Sequence, residues 1–148
     1  MSTKATTKQA PKKTGVSQTV WQKMWALTNE CQVEISGLGV VAEDDPLHWD
    51  DLFVPEQVCG PGSTLMDDDA VMKLTADLHA KGVDPGRIVG WWHSHCKMDP
   101  FWSATDNENI ERLATDGALL SIVTSQKGTY KARIDIFEPI RHTFHDVE

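Results

Sequence analysis

A short apolar run that leads directly into two histidines constrains this chain more than any other feature. The run spans residues 87–92 and follows Asp84-Pro85-Gly86, a sequence typical of a turn, so we predict a buried strand. Side chains alternate between the two faces of a strand, so His93 and His95 should lie on the same face. At ~3.3 Å per residue their backbones would be roughly 7 Å apart, which lets both imidazoles reach one metal ion.

A third potential ligand lies on the next predicted helix. Ser103 and Asp106 have the spacing of a capping box, in which Ser precedes the helix and an acid occupies its third position. The two interpretations of Asp106 are compatible, because a capping residue can also face a metal ion. Two histidines and one carboxylate leave a coordination position for water, which is typical of a catalytic zinc site rather than a structural one.

The spacing of these residues resembles the signature of the JAMM (MPN-plus, JAB-domain) metalloprotease family. Seven residues separate His95 from Ser103, and two separate Ser103 from Asp106, without a gap relative to that signature. The family also has an upstream glutamate near a glycine. Glu34, which precedes Gly37, stands at that place.

This resemblance implies an α/β fold, a single domain with a mixed β-sheet flanked by helices, similar to that of cytidine deaminases. It covers roughly residues 20–137, and we predict a free-standing metalloprotease domain of prokaryotic or phage-like type over residues 20–148. The deaminases themselves are excluded, because their His-x-Glu and Pro-Cys-x-x-Cys ligand motifs are absent. Residues 1–19 are polar with almost no apolar side chain, and we predict a flexible tail.

The resemblance also implies a role for each site residue. His93, His95 and Asp106 are expected to hold one zinc ion per chain. Glu34 is expected to be the general base, and the Ser103 hydroxyl is expected to donate to the tetrahedral oxyanion. The implied reaction is hydrolysis of an amide or isopeptide bond that removes or trims ubiquitin or a ubiquitin-like protein. Two alternatives stay open: a processing endopeptidase dedicated to one other protein, and a non-catalytic scaffold of the same fold.

The residues between the ligands are our candidates for the substrate cleft: Cys96, Asp99, Phe101 and Trp102. The family commonly has proline and glycine after the second histidine, whereas this chain has Cys96-Lys97-Met98. The shape of this loop is therefore expected to differ from that of relatives. Cys96 is most simply a small buried side chain. The alternative is that its thiolate occupies the open metal position.

Composition excludes other classes of function. A net charge of -8 argues against nucleic acid as a partner, since phosphate binding needs clustered Lys and Arg. No apolar run approaches the length of a membrane span, and the N-terminus lacks the apolar core of a secretory signal. Three cysteines without metal-type spacing predict a reducing compartment. We therefore predict a cytoplasmic protein without membrane contacts, and we leave a homodimer open.

Hydrophobic periodicity predicts where the helices and strands lie. An amphipathic helix is expected over 20–28, with Trp21 and Trp25 in the core. Residues 138–148 are polar, and we assign them no role. The other elements are a strand over 33–42, one or two strands within 47–58, a loop over 59–63, a helix after 67–69, a helix after Ser103, and strands over 119–123 and 130–137.

Overall fold

The computed structural model describes residues 13–60, 64–113 and 117–148, and these residues are built on a seven-stranded sheet. The strand order in this sheet is β1-β3-β2-β6-β7-β8-β9, while β4 and β5 form a separate hairpin. The β1–β3 and β6–β7 pairs are parallel and the remaining pairs are antiparallel, so the sheet is mixed as predicted. The strands are β1 Gly15–Val16, β2 Ser36–Val41, β3 His48–Phe53, β4 Gln57–Cys59, β5 Thr64–Met66, β6 Gly90–Ser94, β7 Ala118–Thr124, β8 Tyr130–Ile136 and β9 His142–Phe144.

The described residues also form three α-helices, all of them predicted from the sequence. They are α1 Gln18–Glu30, α2 Asp68–Ala80 and α3 Ala104–Arg112.

The buried stripe of α1 differs from the predicted one. Val20, Met24 and Thr28 are buried at a spacing of four residues, whereas Trp21 and Trp25 are only half-buried. The two indoles contact each other edge to face at 5.5 Å between ring centroids, at the margin of the core. Trp21 packs against the buried core, whereas Trp25 does not, so the prediction that both belong to the core is confirmed only for Trp21. The fully buried residues of α1 lie one position further around the helix.

The predicted tail ends too late in the sequence. Residues 1–12 lie outside the described residues, but 15–16 form β1, which pairs with β3 at the edge of the sheet. The Ser17 hydroxyl then caps α1 by accepting from the amide of Val20 at 3.3 Å. Edge pairing uses backbone N–H and C=O groups, so it requires no apolar side chain. The largely polar sequence around residues 15–16 therefore gave no indication of a strand. The same reason explains why β9, within the polar segment 138–148, was missed.

The α-helices lie on opposite faces of the sheet. Trp91 and Trp92 alternate across β6, and they belong to two different apolar clusters. The cluster around Trp92 packs against α1, and the cluster around Trp91 includes Ile110 of α3. His93 shares a face with Trp91, so it lies on the side of the sheet that α3 covers.

Two paired glycines create the space for a large side chain in the first cluster. Gly39 of β2 lies opposite Gly90 of β6, and the fully buried indole of Trp49 covers both. A Cβ atom at Gly39 would overlap the indole, and one at Gly90 would lie 2.8 Å from it. This close approach fixes β2 against β6, the strand that leads to the two histidines.

The loop predicted over 59–63 is described only at its start, because residues 61–63 lie outside the described residues. Cys59 ends β4, and β5, which the sequence did not predict, begins at Thr64. Within the described ranges, no helix combines the length and apolar content that crossing a membrane requires.

Candidate metal centre

The end of β6 brings the two histidines together. His93 lies in the strand, and His95 follows it with its amide still bonded to the carbonyl of Thr124 at the end of β7, at 2.9 Å. Their side chains therefore lie on one face, and the two Nε2 atoms are 3.1 Å apart. The His93 imidazole also stacks on Trp91, with ring centroids 4.4 Å apart and planes 16° apart.

The first turn of α3 presents Asp106 to both histidines. Ser103 caps the helix: its Oγ accepts from the Asp106 amide at 3.0 Å, and its own amide donates to Asp106 Oδ2 at 2.9 Å. The Oδ1 atom of the same carboxylate lies 3.1 Å from His93 Nε2, and Oδ2 lies 3.2 Å from His95 Nε2. One side chain therefore takes part in the capping box and faces the histidines.

The donor set fits a zinc ion. Ligand atoms at ~2.0 Å from a tetrahedral ion lie roughly 3.3 Å from one another, close to the separations observed between the three side chains. His95 Nδ1 lies 3.1 Å from the carbonyl oxygen of Asp99, which assigns the proton to Nδ1 and leaves Nε2 free to coordinate. Among the described residues, His93, His95 and Asp106 are the group of His, Cys, Asp or Glu side chains able to hold an ion, and all three are buried.

The electrostatics of Asp106 and His93 suit metal coordination. Burial lowers the pKa of His93, and its hydrogen bond to Asp106 opposes this only in part. Burial would also lower the pKa of His95, but hydrogen bonds to Asp106 and to the Asp99 carbonyl outweigh it and raise that pKa. Burial would raise the pKa of Asp106, yet its bonds to both imidazoles hold that pKa well below its usual range. Asp106 is therefore ionised and His93 neutral near pH 7, the forms that bind metal ions.

Glu34 lies just before β2 and is buried, with its amide donating to the carbonyl of Gly60 at 3.0 Å. Burial raises the pKa of its carboxyl group to about 7; the charge of His95 lowers this pKa and that of Asp106 raises it. Both charges act on Glu34, so its carboxyl group lies within electrostatic range of the ligand group. A carboxyl group with this pKa can accept and return a proton near neutral pH.

Three of the four predicted cleft residues lie around the two imidazoles. The exposed ring of Phe101 meets the His95 ring edge to face at 4.7 Å between centroids. The half-buried ring of Trp102 lies 5.8 Å from that of His93. Asp99 is exposed and contacts His95 through its backbone carbonyl.

Cys96 is buried, so it offers less side-chain surface to a substrate than the other three predicted cleft residues. Its backbone has a left-handed φ of 55°, which turns the chain sharply after His95 and leaves the side chain buried. The amide of Cys96 donates to Ser94 Oγ at 3.1 Å, and its carbonyl accepts from the amide of Gln126 at 2.7 Å. Cys96 therefore matches the simpler interpretation, a small buried side chain. Burial also raises the pKa of its thiol, which disfavours the thiolate.

Sequence reasoning missed a buried ion pair behind the site. Arg133 and Asp135 of β8 are both buried and form two hydrogen bonds, at 2.9 and 2.8 Å. Burial would raise the pKa of Asp135, but the bonds from Arg133 lower it below its usual range. Their i, i+2 spacing on a strand was the available signal. A charged pair on a strand is, however, usually solvated, and no neighbouring sequence pattern indicates the distant contacts that bury this one.

The comparisons with known proteins agree with this geometry. A family model described as "Prokaryotic homologs of the JAB domain" matches residues 17–135. No match was found among curated proteins. Solved structures with a similar fold include the solution structure of protein DSY2949 from Desulfitobacterium hafniense. That structure is 21% identical, covers 90% of this chain and 89% of its own, and has a TM-score of 0.61.

Proposed function

The chain belongs to the family of prokaryotic JAB-domain proteins, and from this premise we propose that it is a zinc-dependent peptidase or isopeptidase. The convergence of His93, His95 and Asp106, with ligand atoms 3.1–3.2 Å apart, is the observation that carries the proposal. The buried carboxyl group of Glu34, with a pKa of about 7, supports hydrolysis rather than a purely structural metal site.

Three side chains would bind the ion and two would assist the reaction. A zinc ion held by His93, His95 and Asp106 would supply a Lewis acid that lowers the pKa of a water molecule toward ~7. Glu34 accepts the proton of the attacking water and later delivers it to the leaving amine. The Ser103 hydroxyl hydrogen has no acceptor among the described residues, so it can donate to the oxyanion while Oγ caps α3.

The proposed substrate is ubiquitin or a ubiquitin-like protein, and the family relationship supports this choice. A cavity of about 360 Å³ includes Trp91, whose ring stacks on His93, in its wall. Its lining is partly apolar, as at Met66, and partly charged, as at Asp68, and it includes neither the three ligands nor Glu34. We propose that this cavity accepts a side chain of the substrate.

Zinc analysis and a matched pair of variants test the proposal. Purified protein should contain about one zinc per chain, and Glu34→Gln should keep the zinc but lose hydrolysis by orders of magnitude. Glu43→Gln is the control, because it makes the same chemical change at an exposed side chain. Turnover that survives in Glu34→Gln would contradict the proposed mechanism, and a wild-type protein without zinc would contradict the metal site.

The substrate can be identified with zinc-loaded Glu34→Gln protein as a trap in lysate from the host. Recovery of a ubiquitin-like protein, free or conjugated, would support deconjugation or tail trimming. Recovery of a single unrelated protein that the wild type cleaves would replace this substrate with a dedicated one. A stable partner that the wild type leaves intact would favour a scaffold.

A further inference from the structure

The helix that carries Asp106 is held by a small apolar contact with the core and by several polar contacts. Ile110 is the single buried apolar residue within α3, and the other buried residue is Asp106 itself. Amphipathic helices normally dock through a continuous apolar stripe, with residues spaced three and four apart. The position of Asp106 relative to the histidines must therefore depend on additional contacts between α3 and the sheet.

Arg133 of β8 makes such a contact at the residue next to the ligand. Its Nη1 atom donates to Asn107 Oδ1 at 2.7 Å, and Asn107 directly follows Asp106. The remaining donors are fixed in place, since Nε and Nη2 bind both carboxylate oxygens of Asp135. A planar guanidinium group held at two points offers its third donor in one direction, so it specifies where the first turn of α3 lies.

The same guanidinium group also supports the aromatic side chain beside His93. Its Cζ atom lies 5.2 Å from the ring centroid of Trp102, in a cation–π contact. The Trp102 ring in turn lies 5.8 Å from that of His93. The buried guanidinium group of Arg133 is therefore linked to two of the three predicted ligands, in each case through a single residue between them.

We propose that Arg133 is a positioning residue for the metal centre, acting on Asp106 through Asn107 and on His93 through Trp102. The inference rests on the proposed function, because it takes the three ligands to hold zinc. Removing a group that orients a metal ligand without binding the metal itself typically lowers metal affinity 10- to 100-fold.

A second polar contact of α3 distinguishes two possible roles of Arg133, which are to orient the metal ligands or only to attach the helix to the sheet. Arg141 binds Glu111, which lies near the far end of the helix, at 2.7 Å, and it also donates to Asp135 Oδ1 at 2.9 Å. The control is therefore made at Glu111: Glu111→Ala removes this contact of α3 and leaves the Arg133–Asp135 pair and Asn107 in place. If Arg133 only attached the helix, loss of either contact would have the same effect on zinc affinity.

Asn107→Ala is the primary test, measured as the zinc dissociation constant in competition with a chromogenic chelator. Asn107 is exposed and its loss leaves the Arg133–Asp135 pair intact, so the variant should fold. We expect about 10-fold weaker zinc binding and a changed visible absorption spectrum of the cobalt-substituted protein. Asn107→Asp keeps an acceptor for Arg133, so its zinc affinity and its cobalt spectrum should match those of the wild type. Glu108→Ala, at the next exposed position, should leave the affinity and the spectrum unchanged.

Arg133→Lys completes the test, because lysine keeps the positive charge but lacks the planar guanidinium group and its fixed set of donors. We expect a loss of 10- to 100-fold in zinc affinity, with Glu111→Ala within about twofold of wild type. The inference is overturned if Asn107→Ala and folded Arg133→Lys bind zinc as tightly as wild type, or if Glu111→Ala weakens binding equally. Failure of the wild-type protein to bind zinc would instead refute the proposed function, and this inference with it.

Discussion

The raised pKa of Glu34 should make the stability of the metal-free protein fall as pH rises. The pKa is 4.5 for an ordinary glutamate and about 7 in the folded protein, so folding favours the neutral form. The resulting stability is fully present below pH ~4.5, and it is lost as pH rises through 7. A pKa shift of this size corresponds to about 3 kcal/mol of folding stability. Between pH 5 and 8 the free energy of unfolding should therefore fall by about 2–3 kcal/mol.

Urea unfolding in the presence of a chelator measures this loss as a difference between two proteins. Glutamine at position 34 cannot ionise, so the free energy of unfolding of wild type should fall by about 2–3 kcal/mol more than that of Glu34→Gln between pH 5 and 8. Groups that do not interact with Glu34 cancel in the comparison, whereas His95 and Asp106 contribute to the difference because their charges act on Glu34. Saturating zinc should shrink the difference, since a nearby divalent cation favours the carboxylate. Parallel pH profiles of the two metal-free proteins would refute the burial argument for Glu34.

Three further substitutions test other parts of the structure. Asp106→Asn removes a charged ligand at constant size, and chelator competition should show zinc affinity at least about 100-fold weaker; unchanged affinity would exclude Asp106 as a ligand. Gly39→Ala should lower the free energy of unfolding by about 1–3 kcal/mol, because the added methyl group overlaps Trp49. Adding Trp49→Phe to the same chain should recover part of that loss. If the two substitutions change the free energy of unfolding additively, this packing is contradicted. Ser103→Gly should cost only a few tenths of a kcal/mol, because glycine is a tolerated N-cap, yet it should lower peptide turnover by about 10²–10³-fold. Turnover that follows stability alone would exclude Ser103 as an oxyanion donor.

The parts of the site that were predicted from sequence depend on short-range geometry. A strand places His93 and His95 on one face whatever the rest of the fold does, and a capping box fixes Asp106 relative to Ser103 within one helical turn. Glu34 is different, because it lies about sixty residues earlier in the chain. Only the resemblance to a family indicated that it would face the ligands, since no local pattern relates the two segments.

The features that were not predicted depend on partners distant in sequence. The edge strands β1 and β9 form through backbone bonds that leave no apolar pattern. Arg133 and Asp135 look like solvated charges in the sequence, but in the fold Asn107 of α3 contacts the arginine, and Arg141 and Thr143 contact the aspartate. Trp21 and Trp25 were assigned to the core because their i, i+4 spacing places them on one face of α1, but the sheet on which a helix docks decides which face becomes buried.

The double use of Asp106 affects how relatives of this protein should be read. A descendant that lost its metal ion would still benefit from this aspartate, because the carboxylate continues to cap α3. Survival of the aspartate alone is therefore compatible with an inactive copy. His93 is more informative, since its Nδ1 atom is buried without a hydrogen-bond partner among the described residues, at a cost of about 1–3 kcal/mol. A lineage freed from metal binding should therefore replace this histidine before the aspartate.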